Sequence, residues 1–336
     1  MPRTGLLRLS MLASILVPVA ASAETTIVVS SWAPPTHTIN ANVWPAWAGM
    51  VEKATEGRVR VKIEYGLAPP PAQFDIILDG AADATWMFHG YNPGRFVATQ
   101  LVELPGNTAG AEAVSAAYWQ VHERYLSAAD EHRGVKLIGL TAHGPGHLHT
   151  REPITALDEV EGLKIRVGGG VSSDIAERLG IIGVNVPAPQ VYETVASGVA
   201  DGVLMPMETK QSFRLAEVAP YTLELPGGFY NGSFAFIMNQ DTFDSLSPED
   251  QEALMSVSGI ELSKLAGRAW EKADEEGVEF AIGEGNTFTL ADEAVIAEFR
   301  DRTEDIRQTV IERIDGLGID AGAALADLQA LSAQPD

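Results

Sequence analysis

Arg166 is the residue of this chain best placed to hold an anion. It stands near the end of the run Leu163-Lys-Ile-Arg-Val167, just before Gly168-Gly169-Gly170 and a helix that Ser173 or Asp174 would cap. A guanidinium, free backbone N–H groups and the positive end of a helix dipole would then converge on one spot, which is the chemistry that binds a carboxylate. The glycines alone specify little, because the Lys-Ser/Thr ending of a phosphate loop is missing and a tight turn reads the same way. The expectation is a clamp for a ligand carboxylate, weighed against a surface salt bridge.

His143, His147 and His149 form the second constellation. Positions 147 and 149 share a face of an extended segment, and three imidazoles could hold a metal. No carboxylate stands at a recognisable spacing, which favours a polar strand edge or pocket wall. Trp32, Trp86, Phe88, Tyr91, Phe229 and Tyr230 follow predicted strands or sit in loops rather than at helical spacing. Each alone reads as core; together at strand ends they suit a pocket for an apolar or cationic ligand body. There is no G-x-S-x-G motif and no paired-carboxylate spacing. The chain has 0 cysteines, which excludes thiolate nucleophiles, zinc–cysteine and iron–sulfur sites, disulfides and a lipid-bearing cysteine. An enzymatic role finds little support, and no cofactor is implied.

The elements that must position these residues alternate between strand and helix. Thr26–Ser30 reads as a buried strand, Ile39–Val51 as a helix stopping at Gly57, and Val59, Val61, Ile63 and Tyr65 alternate with charged neighbours as a strand with one wet face. Further units run through a helix at about 72–78, an apolar run 84–88, a helix around Trp119 and a strand 135–140. After Pro226-Gly-Gly228 comes a strand 233–239. Ser247-Pro-Glu-Asp opens helical patterning that continues to about Glu279, long enough to span two lobes. An internal echo links Ile77-Leu-Asp-Gly-Ala-Ala-Asp-Ala-Thr-Trp-Met87 with Val195-Ala-Ser-Gly-Val-Ala-Asp-Gly-Val-Leu-Met205, each a helix end, a glycine, an aspartate and a strand. Two similarly built α/β lobes follow, with Asp83 and Asp201 fixing turns and the strand ends near Met87 and Met205 facing a shared cleft.

Length and charge agree with this class. The 336 residues suffice for about two domains, and 46 acidic against 23 basic residues give a net charge of −23, which disfavours nucleic-acid binding. Arg3 and Arg8, an apolar run 9–20 and Ala21-Ser22-Ala23 read as a signal peptide over 1–23 cleaved near Ala23. The apolar run is too short for a membrane anchor. Export without an anchor places the mature chain in the periplasm of a Gram-negative cell.

The chain resembles the extracytoplasmic solute receptors of TRAP transporters, of the C4-dicarboxylate-receptor type. The resemblance is carried by Ser31-Trp-Ala-Pro-Pro-Thr-His37, Ala54-Thr-Glu-Gly-Arg-Val59, Tyr91-Asn-Pro-Gly-Arg-Phe96 with Glu103-Leu-Pro105, Glu161-Gly-Leu-Lys-Ile-Arg-Val167 and Val191-Tyr-Glu-Thr-Val-Ala-Ser-Gly-Val-Ala-Asp-Gly202. It implies an α/β, two-lobed periplasmic binding protein fold, a cleft between the lobes and a long helix bridging both. It also implies delivery of ligand to the small and large membrane subunits of a permease. The expected organisation is 24–142 with 232–272 as lobe I and 143–231 with 273–336 as lobe II. The arginine of the Gly-Leu-Lys-x-Arg motif, which binds ligand carboxylate in that family, is Arg166. Met205 stands where relatives often carry asparagine, and the second arginine of sialate-type members has no match near Gly146 and His147. Both departures make the pocket less polar and point to a monocarboxylate or zwitterion with an apolar or aromatic body. The expected ligand residues are Arg166, Trp32, Trp86, Phe88, His89, His147, Gly168, Met205, Phe229 and Tyr230. The rival expectations are a periplasmic metal-dependent enzyme built on His143, His147 and His149, and a receptor for an ABC permease.

Overall fold

The computed structural model describes residues 24–334, so the expected signal peptide lies outside the described residues. The first sheet has the order β2-β1-β3-β10-β4, built from β1 (Thr25–Ser31), β2 (Val59–Tyr65), β3 (Ala84–Phe88), β4 (Val135–Ala142) and β10 (Ser233–Asn239). The second has the order β11-β9-β5-β8-β6-β7, from β5 (Gly146–Thr150), β6 (Lys164–Val167), β7 (Ile182–Asn185), β8 (Gly202–Pro206), β9 (Tyr221–Glu224) and β11 (Thr287–Leu290). The chain leaves the first sheet after Ala142, builds most of the second, and returns at Ser233 to insert β10 antiparallel between β3 and β4. These two crossings separate the α/β lobes and leave a cleft between them.

Helices cover the sheets: α1 (Trp44–Ala54), α2 (Gln73–Leu78) and α3 (Ala111–Arg124) precede the first crossing. In the second lobe come α4 (Val171–Arg178), α5 (Val191–Ala196), α6 (Thr209–Ser212) and α7 (Leu215–Val218). The C-terminal third is α8 (Gln240–Ser245), α9 (Pro248–Ser256), α10 (Ile260–Gly283), α11 (Glu293–Asp315) and α12 (Ala321–Ser332). No helix among the described residues is long and apolar enough to cross a membrane.

The internal echo is structural. Asp83 Oδ2 accepts the Val28 N–H at 2.7 Å, and Asp201 Oδ2 accepts the Lys164 N–H at 2.9 Å, so each carboxylate ties the start of its own strand to the neighbouring one. Gly80 (φ +70°) and Gly198 (φ +76°) end the preceding helices in the left-handed region.

Two expectations change. The helical run from Ser247 is not continuous: Ser247 caps α9 by accepting the Asp250 N–H at 3.1 Å, but the run breaks at Gly259. Gly259 takes φ +57° and donates its N–H to Ile138 O at 2.7 Å, a turn that lies tightly against the Trp119 ring and strains any side chain placed there. The bridging helix is therefore α10 alone. A Cβ at Gly267 would overlap the backbone of Ala111 and Glu112 at the start of α3, and one at Gly277 would overlap the backbone of Met207 and Glu208 in the second lobe. Each lobe thus meets α10 at a glycine notch. The second change concerns α12, expected with lobe II. It packs on α3 of the first lobe, where Asp327 accepts from Arg124 Nη1 at 3.1 Å and Tyr125 Oη at 3.0 Å.

Candidate ligand-binding site

The carboxyl ends of β3, β6 and β8 meet between the lobes around a narrow cavity. Strand alternation decides which side chains reach it. Trp86 and Phe88 of β3 line the space, whereas Met87 between them is buried in the hydrophobic core. Met205 and Pro206 of β8 form the facing wall.

The indoles are held rigidly. Trp32 stacks on Trp86 with centroids 4.1 Å apart at 18° and donates Nε1–H to Trp86 O at 2.9 Å. Trp86 Nε1 donates to Ser31 Oγ at 2.9 Å, and Ser31 Oγ donates to Asn40 Oδ1 at 2.6 Å. Phe234 stacks on the other side of the cluster, 5.5 Å from Trp86 at 26°, and Phe88 meets Tyr91 edge-on at 4.9 Å. Such a wall offers flat apolar faces at fixed positions and suits an aromatic body.

Arg166 supplies the charge. It is 3% exposed, its Nε donates to Val186 O at 2.8 Å, and Nη2 lies 3.4 Å from the Tyr91 hydroxyl. No carboxylate pairs with it among the described residues, and no other lysine or arginine lines the cavity. A buried guanidinium without a counter-ion is costly, and an incoming carboxylate relieves that cost.

The glycine loop behaves differently from its expected role. The α4 N-terminus does not point its free N–H groups at the cavity: the Val171 N–H is taken by Glu103 Oε2 of the first lobe at 2.9 Å. Burial lifts the Glu103 carboxyl to about 7, the Val171 N–H pulling the other way. The helix dipole is thus answered by a residue of the protein itself, and the ligand charge falls to Arg166. Gly169 (φ +104°) lies so close to the Gly90 carbonyl that a side chain would collide with it, so the lobes touch through backbone here.

Of the ten residues expected at the ligand, Arg166, Trp32, Trp86, Phe88, Gly168, Met205 and Tyr230 line the cavity; His89, His147 and Phe229 do not. His89 is turned into the first lobe, with Nδ1 2.7 Å from Ser233 Oγ and Nε2 2.9 Å from His132 Nε2. Phe229 packs edge-on against Phe299 at 5.1 Å in the core. His147 is buried opposite Met205 on the adjacent strand, and its Nδ1 has no hydrogen-bond partner among the described residues. His37, His143, Glu208, Phe213, Phe234 and Trp270 also line the cavity and were not among the expected ligand residues. Trp270 sits within α10 at ordinary core spacing, which left no cue; Glu208 lies just past the end of β8, where a cue was available.

The histidines do not assemble a metal centre. His149 uses both ring nitrogens, Nδ1 with Thr222 Oγ1 and Nε2 with Met205 O, each at 3.0 Å. His143 Nδ1 sits 2.5 Å from Gly144 O, and burial holds its imidazole down to about 4. Among the described residues no three histidine, aspartate or glutamate side chains are placed to share an ion.

Residues 29–313 match the family described as bacterial extracellular solute-binding protein, family 7. The chain is also similar to a TRAP periplasmic solute binding protein from Bordetella bronchiseptica with bound (R)-mandelate and (S)-mandelate. That protein is 40% identical with a TM-score of 0.91, over 93% of this chain and 100% of the other. A TRAP solute binding protein from Rhodoferax ferrireducens T118, in complex with copurified benzoate, is 28% identical with a TM-score of 0.86, over 92% and 98% of the two chains. A marine metagenome TRAP solute binding protein specific for aromatic acid ligands, from an unidentified microbe and in complex with 3-hydroxybenzoate, is 29% identical with a TM-score of 0.86, over 93% and 98%.

Proposed function

The chain belongs to family 7 of the bacterial extracellular solute-binding proteins, the receptors of TRAP transporters, and from that membership we propose that its ligand is an aromatic monocarboxylate. The observation that carries this reading is the unpaired, buried Arg166 set in a wall of stacked aromatic rings. One fixed cation matches one carboxylate. A second carboxylate would meet no cation and would face Glu208 instead, so dicarboxylates fit poorly. The ligands of the similar proteins, mandelate, benzoate and 3-hydroxybenzoate, are aromatic monocarboxylates.

The receptor works by closure. In the open form the ligand reaches Arg166 from solvent; in the closed form both lobes touch it, and contacts made only then shift the population toward closure. Tyr91 joins the lobes at the arginine itself, its hydroxyl accepting from the Ala188 N–H at 2.8 Å and facing Arg166 Nη2 at 3.4 Å. Tyr91→Phe keeps the ring and removes this bridge, and is expected to weaken benzoate binding by about three- to tenfold, the value of one or two hydrogen bonds. Titration calorimetry of the variant reads this directly, and unchanged affinity would remove Tyr91 from the closing contacts. The closed receptor docks on the small and large membrane subunits of a TRAP permease in the periplasm, to which the leader 1–23 directs it.

The test is a thermal-shift comparison of the leaderless protein, stripped by unfolding and refolding, with benzoate, mandelate, succinate, N-acetylneuraminate and glycine betaine. A ligand at 100 times its Kd adds about 2.7 kcal/mol. Benzoate and mandelate are expected to raise Tm and succinate to leave it in place. Stabilisation by succinate or the sugar acid in preference to the aromatic acids overturns the ligand class.

A further inference from the structure

Once Arg166 and the aromatic rings have their roles, His37, His143 and Glu208 remain in the cavity wall, and His37 and Glu208 face one another. His37 is 1% exposed and Glu208 3%. His37 Nδ1 accepts the Ile39 N–H at 3.3 Å, which leaves the imidazole proton on Nε2. That Nε2–H faces Glu208 Oε1 across 3.8 Å, too far for a hydrogen bond. Glu208 Oε2 is occupied by the Ser212 hydroxyl, and the Glu208 backbone N–H donates to Asp274 Oδ1 at 2.8 Å, while Oε1 makes no hydrogen bond among the described residues. Trp270 stands edge-on to His37 at 5.2 Å, and its Nε1–H also lacks a partner among the described residues. Around these groups the wall is apolar, with Trp86 5.1 Å and Phe213 5.6 Å from the imidazole.

The pair is not an ion pair. Burial holds His37 down to about 3 and lifts Glu208 to about 8, the Ser212 hydrogen bond pulling Glu208 back and Asp274 pushing it further up. Two neutral groups with unspent hydrogen-bonding capacity therefore face a ligand cavity. Buried polar groups are normally satisfied, and here nothing else in the wall is within reach.

We propose that His37 and Glu208 form a second polar subsite that reads a hydroxyl on the ligand, so that the receptor selects hydroxylated aromatic acids over their unsubstituted parents. This rests on the aromatic-monocarboxylate reading and adds a position to it. A hydroxyl is the group that both accepts and donates: its oxygen takes the His37 Nε2–H, and it exchanges a second hydrogen bond with Glu208 Oε1. A C–H at that place leaves both protein groups unpaired, and a methyl does the same while adding bulk. A carboxylate there finds no cation to offset its charge.

The experiment is calorimetric titration of two ligand pairs, mandelate with phenylacetate and 3-hydroxybenzoate with benzoate, against the native protein, Glu208→Met and Glu208→Gln. In the native protein at least one hydroxylated acid is expected to bind about tenfold or more tighter than its parent, as a site built to hydrogen-bond a hydroxyl discriminates against its absence. Glu208→Met should bring that ratio below about threefold by weakening the hydroxylated acid, whereas Glu208→Gln, which keeps a donor and an acceptor, should retain most of it. Should Glu208→Met fail to fold, His37→Phe, which keeps the ring and loses the N–H, carries the same expectation. Equal binding within each pair, or a preference unchanged in the apolar variant, overturns the subsite while leaving the aromatic-acid receptor standing. Binding by neither member of either pair overturns both.

Discussion

Arg166→Ala is expected to weaken benzoate binding by more than a hundredfold. The native guanidinium is buried, unpaired by protein carboxylates and fixed through Val186 O, so the ligand carboxylate is its counter-ion. Removing one partner of a buried pair costs about 3–5 kcal/mol because the other is left charged and desolvated, and each 1.4 kcal/mol is about tenfold in affinity. The same substitution carries a second signature of opposite sign. Arg166 has no protein counter-ion among the described residues, so its removal should leave the ligand-free Tm unchanged or raised. Arg166→Lys should fall between the two, since an ammonium keeps the charge but lacks the planar fork that meets a carboxylate with two bonds. Calorimetric titration with benzoate and scanning calorimetry without it read the two signatures, and an affinity loss of less than about fivefold would remove Arg166 as the carboxylate clamp.

The second large effect is acid lability. All 7 histidines of the chain are held below their usual value of 6.5, chiefly by burial. His37 and His89 lie at about 3, His122, His143 and His147 at about 4, and His132 and His149 well below 6.5. Unfolded, these groups bind protons as pH falls through 6.5; folded, they do not, so their contribution is complete above 6.5 and is lost on the way down to 4. Three buried carboxyls act in the other direction: Glu103 and Asp274 are lifted to about 7 and Glu208 to about 8. Their contribution is complete only below the unfolded value of 4.5 and is lost progressively as pH rises from there to 7 to 8, so it offsets part of the histidine loss in the acid range. Glu131 and Glu224, raised by partial burial, add to this trend, and Lys210, lowered to about 7, opposes it above that pH.

Stability should therefore peak near pH 6.5, with the larger total loss on the acid side because the histidines outnumber the opposing carboxyls. One pKa unit is about 1.4 kcal/mol, so even one unit per histidine rivals the about 5–15 kcal/mol that holds a folded domain together. A fall in Tm of more than about 10 °C between pH 6.5 and 4.5 is expected, and a smaller one between 6.5 and 8. Scanning calorimetry at the three pH values checks it; a Tm higher at pH 4.5 than at 6.5 would show that the histidines are not the acid-sensitive groups.

Much of the architecture was legible because local patterns and tertiary structure agreed. The Gly-x-Ala-Asp echo marked two lobes, since the same turn chemistry serves Asp83 and Asp201 alike, and Trp86 and Phe88, grouped with other aromatics at predicted strand ends, line the cavity from within β3. The misses share one physical origin: direction and distance across the fold are not written in local spacing. His89 follows Phe88 and so points the other way, into Ser233 and His132. Phe229 and Tyr230 are neighbours in sequence, yet one packs on Phe299 and the other lines the cavity. The glycine loop and helix start looked like an anion site, and a carboxyl group does sit there, but it is that of Glu103 from the other lobe, more than 60 residues earlier in the chain. The long helix breaks at Gly259, which takes a positive φ beside the Trp119 ring, a contact that no helical periodicity reveals.

The two glycine notches of α10 make that helix a gauge. Gly267 and Gly277 are ten residues apart, which at about 100° per residue sets them about 80° apart around the axis and about 15 Å apart along it. The first lobe therefore grips one side of the rod and the second lobe another, in fixed phase. Inserting or deleting one residue between them would swing one notch by about 100° and press a side chain into the Met207 backbone. Exposed positions between the notches, such as Lys272, can change freely, but the length of that stretch cannot. Ligand preference can be altered at side chains in the cavity without touching the register of the shaft behind them.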